Sequence, residues 1–215
     1  MIDPFYKNEL SEIYLGDCYD LMYLADRADL LLTDPPYGVG VGSREFYGSN
    51  GKVRLKGKCD WDISADSVGV MNWVRAVKRS IIWGGNFFGL PAFPCWLVWD
   101  KAMPNYKGAD GELAWTNLKV SPKIFRMTRA DANINKRIFK KSHPAEKPLD
   151  LMTWCLSLVK PAPSCVIDPF MGVGTTLLAA TILGIRSIGI EREEKYVNIA
   201  VEHFEEMKKM GGLFS

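Results

Sequence analysis

The chain has 215 residues, of which 47% are hydrophobic and 24% charged, and its formal net charge is +2. That is the length of one domain with a sizeable core and an ordinary globular composition. No apolar run reaches the length of a membrane span, no basic N-terminal segment leads an apolar one, and the five scattered cysteines contain no CxxC. A membrane protein, a secretory leader, a disulfide framework and a zinc site are therefore not expected, and the reading is a cytoplasmic chain.

Glu12-Ile13-Tyr14-Leu15 reads as a short strand ending at Gly16-Asp17, and a helix is expected over 19–25. Residues 29–33 form the next strand and run into Thr33-Asp34-Pro35-Pro36-Tyr37. Two prolines fix φ and remove two N–H donors, so this is a rigid turn at a strand's carboxyl end, where open α/β sheets bind ligands. The Asp34 carboxylate and the Pro35 carbonyl are two acceptors beside an aromatic ring, Tyr37, a set that suits a flat amine such as a nucleobase. Residues 38–62 are glycine-rich and polar and read as a long flexible loop. A helix is predicted over 66–78, a strand over 80–83 ending in Gly84-Gly85-Asn86, and another over 95–99. Residues 112–117 and 123–128 read as a pair of strands around Val120-Ser121-Pro122. A helix over 147–159 precedes a strand over 164–168, a helix over 174–183, a strand over 186–190 and a helix over 193–209. This alternation predicts a three-layer α/β fold with a mostly parallel sheet and an antiparallel portion.

The strand over 164–168 leads into Asp168-Pro169-Phe170-Met171-Gly172-Val173-Gly174-Thr175-Thr176. A glycine turn opening a helix lets a ligand approach the backbone and meet free N–H groups. It is not a P-loop, because no Gly-Lys-Ser/Thr follows, and the third glycine of a dinucleotide fingerprint is replaced by Leu177. Glu191 ends the next strand, where a carboxylate accepts ribose hydroxyls, and Asp168 at the turn repels phosphate. A ribose-bearing, cationic, phosphate-free cofactor is implied, and S-adenosylmethionine meets all three conditions.

Charge is unevenly placed. Asp3 to Asp34 holds eight acids and two bases, whereas Lys119 to Lys147 holds nine bases against Asp131 and Glu146. The basic stripe, with the lysines of 52–58, suggests a polyanion on one face.

Taken together, Asp34-Pro35-Pro36-Tyr37, the glycine turn at 168–176, Gly189-Ile190-Glu191 and His143-Pro144-Ala145-Glu146-Lys147-Pro148 resemble the motifs of the permuted DNA amino-methyltransferases. Gly16-Asp17 and Trp99-Asp100-Lys101 are similar to two further short motifs of that family. The resemblance runs from about residue 12 to 204. It implies one Rossmann-like S-adenosylmethionine-dependent methyltransferase domain over 1–215, in permuted order, with strand 12–15 at one edge, then 186–190, 164–168, 29–33 and 80–83. It implies methylation of adenine N6 in DNA by direct in-line attack on a flipped base, since aspartate at the head of the tetrapeptide is commoner in adenine enzymes. Cytosine N4, an RNA or protein amide acceptor, or a non-catalytic DNA-binding module are the alternatives. Implied catalytic residues are Asp34, Pro35, Pro36 and Tyr37, with Tyr37 stacking on the base and Trp115 or Phe125 as a second aromatic wall. Implied cofactor residues are Asp17, Lys147, Asp168, Phe170, Gly172, Gly174, Thr175 and Glu191. DNA contacts are expected from Lys52, Arg54, Lys123, Arg126, Lys140 and Lys141, with a short recognition region over about 101–142. DNA is the expected partner, no metal is needed, a homodimer is one allowed assembly, and a restriction-modification setting in a bacterium, phage or archaeon fits.

Overall fold

The computed structural model describes residues 2–37, 46–48, 51–53, 67–102, 109–128, 131 and 146–209, with the backbone alone at 46–48 and 51–53. Its strands are β1 (Tyr6–Lys7), β2 (Ser11–Leu15), β3 (Leu30–Thr33), β4 (Phe46–Gly48), β5 (Gly51–Val53), β6 (Arg79–Trp83), β7 (Trp96–Asp100), β8 (Gly111–Thr116), β9 (Lys123–Arg126), β10 (Cys165–Asp168) and β11 (Arg186–Glu191). Every residue of β3 and β10 is buried, as in a strand covered on both faces. Leu30 and Leu32 join one apolar cluster and Leu31 the opposite one, because successive side chains alternate across a pleat.

One sheet holds nine strands in the order β1-β2-β11-β10-β3-β6-β8-β7-β9. From β2 to β6 the neighbours are parallel, in the order the family resemblance implies. Among the described residues four helices cover it: α1 (Ser67–Ala76), α2 (Leu149–Ser157), α3 (Thr175–Ile182) and α4 (Glu194–Lys209). Leu151, Met152, Cys155 and Leu156 of α2 pack with Ala179 and Ala180 of α3 on the Leu30/Leu32 face. Val70 and Trp73 of α1 cover the Leu31 face, with Leu24 and Ala25 from a short 3-10 segment, Met22–Arg27. Val197, Ala200 and Phe204 of α4 close a third cluster over Ile13.

Four expectations change. The strand at 11–15 is not the edge, because β1 pairs antiparallel with it. A two-residue strand carries no periodic signal; the Asn8 side chain makes the turn by accepting from the N–H groups of Leu10 and Ser11 at 2.9 and 2.7 Å. The segment at 19–25 is a 3-10 turn displaced to Met22–Arg27, with no side-chain cap to start a regular helix. Strands β8 and β9 do not pair with each other. They take opposite edges of β7, antiparallel and parallel respectively. Within 38–62, expected as loop, β4 and β5 pair antiparallel.

Candidate active site

The ends of the two central strands are tied together. Thr33, the last residue of β3, donates to Asp168 Oδ1 at 2.6 Å; Thr176 donates to Oδ2 at 2.6 Å, and the Phe170 N–H to Oδ1 at 3.1 Å. Asp168 is buried, and burial pushes its carboxyl up to about 6 even though the three hydrogen bonds pull it down. Between about pH 4 and 6 the folded chain therefore holds a proton that the unfolded chain has lost, and this group's contribution to stability falls as pH rises through that window. Relative to an Asp168→Asn variant, wild-type unfolding free energy is expected to fall by on the order of 3 kcal/mol from pH 4 to pH 7. Denaturant titrations of both proteins across that range check it, and a pH-independent difference would show the carboxyl to be unperturbed.

One residue beyond Thr33, Asp34 lies in a polar cluster. Its Oδ1 accepts the Tyr37 hydroxyl, and its Oδ2 is 2.5 Å from the Lys147 ammonium. Lys147 also donates to the Tyr37 oxygen at 3.2 Å and pairs with Glu112 Oε2 at 3.1 Å. Lys101 holds the other Glu112 oxygen at 2.6 Å. Burial pushes the Asp34 carboxyl up; the Lys147 ammonium, then the Tyr37 hydroxyl, oppose it. Lys147 is raised well above the usual lysine range because the negative charges around it outweigh its burial. Burial would also raise Glu112, but Lys147 and Lys101 bring it down to about 2. The structure thus places Lys147 on Asp34. The sequence reading did not single out Glu112 and Lys101 for this site. The signal available for them was a charge beside an otherwise apolar strand (Leu113-Ala114-Trp115, and Trp96 to Trp99).

On the other side of the β10 end, Glu191 closes β11 with its carboxylate accepting the Gly172 N–H at 3.0 Å and the Glu193 N–H at 2.9 Å. Burial raises its carboxyl, and the backbone N–H groups of Glu193 and Gly172 oppose that. Gly174, at φ +85°, is in the left-handed region, and a Cβ there would come within 3.1 Å of the Ala200 Cβ; its demand is close packing of α4. A Cβ on Gly172 would meet nothing within 4 Å, so the turn has open space beside it. Phe170 packs against the Leu31-side core, and Thr175 donates to Glu146 Oε1 at 3.0 Å. Asp17, exposed after β2, accepts the Tyr19 N–H at 2.8 Å. A carboxylate at a strand end, an open glycine turn and an acid on the next strand end fit a nucleoside bearing a free ribose and a positive charge.

Tyr37 stacks on Phe87, with ring centroids 5.1 Å apart and planes at 21°. Phe87 is half exposed and sits in the short turn Gly85–Phe87 at the carboxyl end of β6. Gly84 makes room for this pair, since a Cβ there would lie 2.0 Å from the Tyr37 ring. Trp115 and Phe125 are elsewhere: Trp115 is buried and donates to the Pro91 carbonyl at 2.7 Å, and Phe125 packs on Trp154. Pro35 is buried and Pro36 half-buried behind Asp34.

The expected basic face is only partly described. Arg54, Lys140 and Lys141 lie outside the described residues, as does the side chain of Lys52. Arg126 ends β9 on the same side of the sheet as Asp34 and pairs with Asp100 at 2.7 Å. Lys123 is exposed at the strand's opposite end, roughly 10 Å away along the chain. Among the described residues there is no metal-binding cluster, and no helix is long and apolar enough to cross a membrane.

A family model described as DNA methylase matches residues 96–202, a span that includes Glu112, Lys147, Asp168, Gly172 and Glu191. The chain is 23% identical to the type II methyltransferase M2.MboI of Moraxella bovis, covering 96% of this chain and 92% of that protein. It is 26% identical to the type II methyltransferase M.HinfI of Haemophilus influenzae, over 93% and 69% of the two chains. It is 28% identical to the putative methylase YubD of Escherichia coli, over 87% of each. In fold it is similar to M1.HpyAVI in complex with SAM, at TM-score 0.57 and 22% identity over 90% of this chain and 99% of that one. It is similar to the cytosine-N4-specific PvuII DNA methyltransferase at TM-score 0.56 and 17% identity, over 94% and 89%.

Proposed function

We propose that this chain, which belongs to the DNA methylase family, transfers a methyl group from S-adenosylmethionine to the exocyclic N6 of an adenine in DNA. The observation that carries this reading is the 2.6 Å hydrogen bond from Thr33 to Asp168. It sets the Asp34-Pro35-Pro36-Tyr37 turn beside the open glycine turn, so an amine acceptor and a nucleoside cradle share one edge of the sheet. Aspartate at the head of the tetrapeptide supports adenine over cytosine.

S-adenosylmethionine supplies an electrophilic methyl group when bound. Glu191 would take its ribose hydroxyls, Gly172 and Gly174 would shape the turn beside it, and Asp17, Asp168, Phe170 and Thr175 would complete the pocket. Asp34 and the Pro35 carbonyl accept the amine N–H bonds. This aims the nitrogen lone pair and stabilises the positive charge that grows on it during transfer. The extra proton leaves afterwards, with Asp34 the neighbouring base. Pro36 keeps the turn rigid. Lys147, assigned from sequence to the cofactor, acts instead on Asp34, keeping its carboxylate charged.

Tyr37 receives the target base on its ring, and Phe87 occupies that ring face until the base arrives. A base stacked in a duplex cannot reach Asp34, so it must be flipped out. Residues 1–215 form one catalytic domain in this reading, and the segments 38–62 and 101–142, with Lys52, Arg54, Lys123, Arg126, Lys140 and Lys141, meet the DNA.

The test is mass spectrometry of nucleosides from unmethylated DNA incubated with the protein and labelled cofactor. Label is expected in N6-methyladenine. Label confined to N4-methylcytosine overturns the choice of base, and unlabelled DNA overturns the activity.

A further inference from the structure

The Lys147 ammonium stands between two carboxylates carried by different parts of the sheet. Asp34 follows β3, and Glu112 is the second residue of β8, two strands away across β6. Asp34 Oδ2 is 2.5 Å from the ammonium and Glu112 Oε2 3.1 Å, and the Tyr37 oxygen takes a third contact at 3.2 Å. An ammonium has three N–H donors, so this set uses all of them. Both Asp34 oxygens are also engaged, one by Tyr37 and one by Lys147.

Each oxygen keeps a second lone pair, but an amine accepted by Asp34 shares that oxygen with a donor already drawing on its charge, and so competes with one of these two donors. Tyr37 is fixed by its ring, which is seated against Gly84. Lys147 has a flexible four-carbon stem and is the donor free to shift. It is buried, and a buried ammonium parted from its carboxylate without another in reach is strongly disfavoured. Glu112 is that other carboxylate. Lys101, itself buried, pairs with Glu112 Oε1 and keeps Oε2 turned to Lys147.

We propose that Glu112 is a positioning residue for methyl transfer: it gives Lys147 a second counter-charge, so that the ammonium yields an Asp34 oxygen to the substrate amine and stays in the site. This rests on the reading of Asp34 as the amine's acceptor. Among the described residues, the charged and titratable groups facing Asp34 are Lys147 from the segment before α2, Tyr37 from its own turn, Glu112 from β8 and Asp168 from β10; Lys101 after β7 faces Glu112.

Single-turnover methyl transfer to unmethylated genomic DNA, followed across pH with labelled cofactor, tests it in the full chain. Glu112→Gln is expected to slow transfer about tenfold in the wild-type background and less than about twofold in a Lys147→Met background, because its effect passes through Lys147. The affinities for DNA and cofactor stay at wild-type values. The acid limb of the Glu112→Gln profile moves to lower pH, because Glu112 raises the Asp34 carboxyl. Where Glu112→Gln lowers the melting temperature, Lys101→Met combined with Glu112→Gln keeps the site's charge balanced and carries the same expectations. Equal slowing in both backgrounds, or an acid limb that stays in place, overturns the proposal even if the wild-type protein is active. A wild-type protein that transfers nothing to DNA overturns the activity itself, and the proposal with it.

Discussion

Asp34→Asn is expected to slow methyl transfer by about 10²–10³-fold while cofactor and DNA binding persist, the loss typical of removing one group aimed at a developing charge. The amide keeps the shape of the carboxylate and still offers one oxygen to an amine N–H. What it lacks is the negative charge facing a nitrogen that becomes cationic as the methyl arrives. The surroundings make that charge valuable. Asp34 lies between a buried lysine and a half-buried tyrosine, so little water is present to replace it. The remaining charges keep the fold standing, because Lys147 retains Glu112 at 3.1 Å. Single-turnover transfer of labelled methyl, with cofactor and DNA binding measured separately, checks it. A rate within twofold of wild type removes Asp34 from the chemistry.

Lys147→Met is expected to cut the rate about tenfold at pH 7, with recovery at alkaline pH as the surviving carboxyl ionises. The sign follows from the two influences on Asp34. Burial raises its carboxyl, and the Lys147 ammonium is the largest influence opposing that. With the ammonium gone, burial acts with less opposition, and Asp34 stays protonated to higher pH. A protonated carboxyl neither carries charge nor leaves both oxygens free to accept. The acid limb of the pH–rate profile therefore moves to higher pH in Lys147→Met, opposite to its direction in Glu112→Gln. Profiles of the two variants beside wild type give the comparison, and limbs that coincide would falsify this account of the lysine.

Much of the architecture was legible in the chain. Leu30-Leu31-Leu32 and Val166-Ile167 read as strands, each running into a proline or glycine turn, and both are buried throughout. From there a mostly parallel sheet followed from strands alternating with helices, and the resemblance to the permuted methyltransferases supplied the order from β2 to β6. The site was half legible. Asp34 and Glu191 are at the ends of strands and Gly172 is in the glycine turn after one, where local pattern identifies them. Lys147 was recognised as part of a motif but assigned to the cofactor, because nothing near it in the chain shows that its ammonium lies on a carboxylate 113 positions away. Phe87 was passed over in favour of Trp115 and Phe125, which the fold buries or turns to Trp154.

By itself, then, the sequence determined the fold class, the central strand order and the two turns that carry the proposed chemistry. The fold class and the two turns are consequences of short-range periodicity and of proline and glycine geometry, whereas the strand order came from the resemblance to the permuted methyltransferases. Only the tertiary structure decided which edges of β7 are covered, which ring lies on Tyr37, and how Lys101, Glu112 and Lys147 line up on Asp34. Those pairings join residues far apart in the chain, and their strength comes from burial, which no local stretch of sequence specifies. The charge on Asp34 is set largely by Lys147, which only folding brings to 2.5 Å from it.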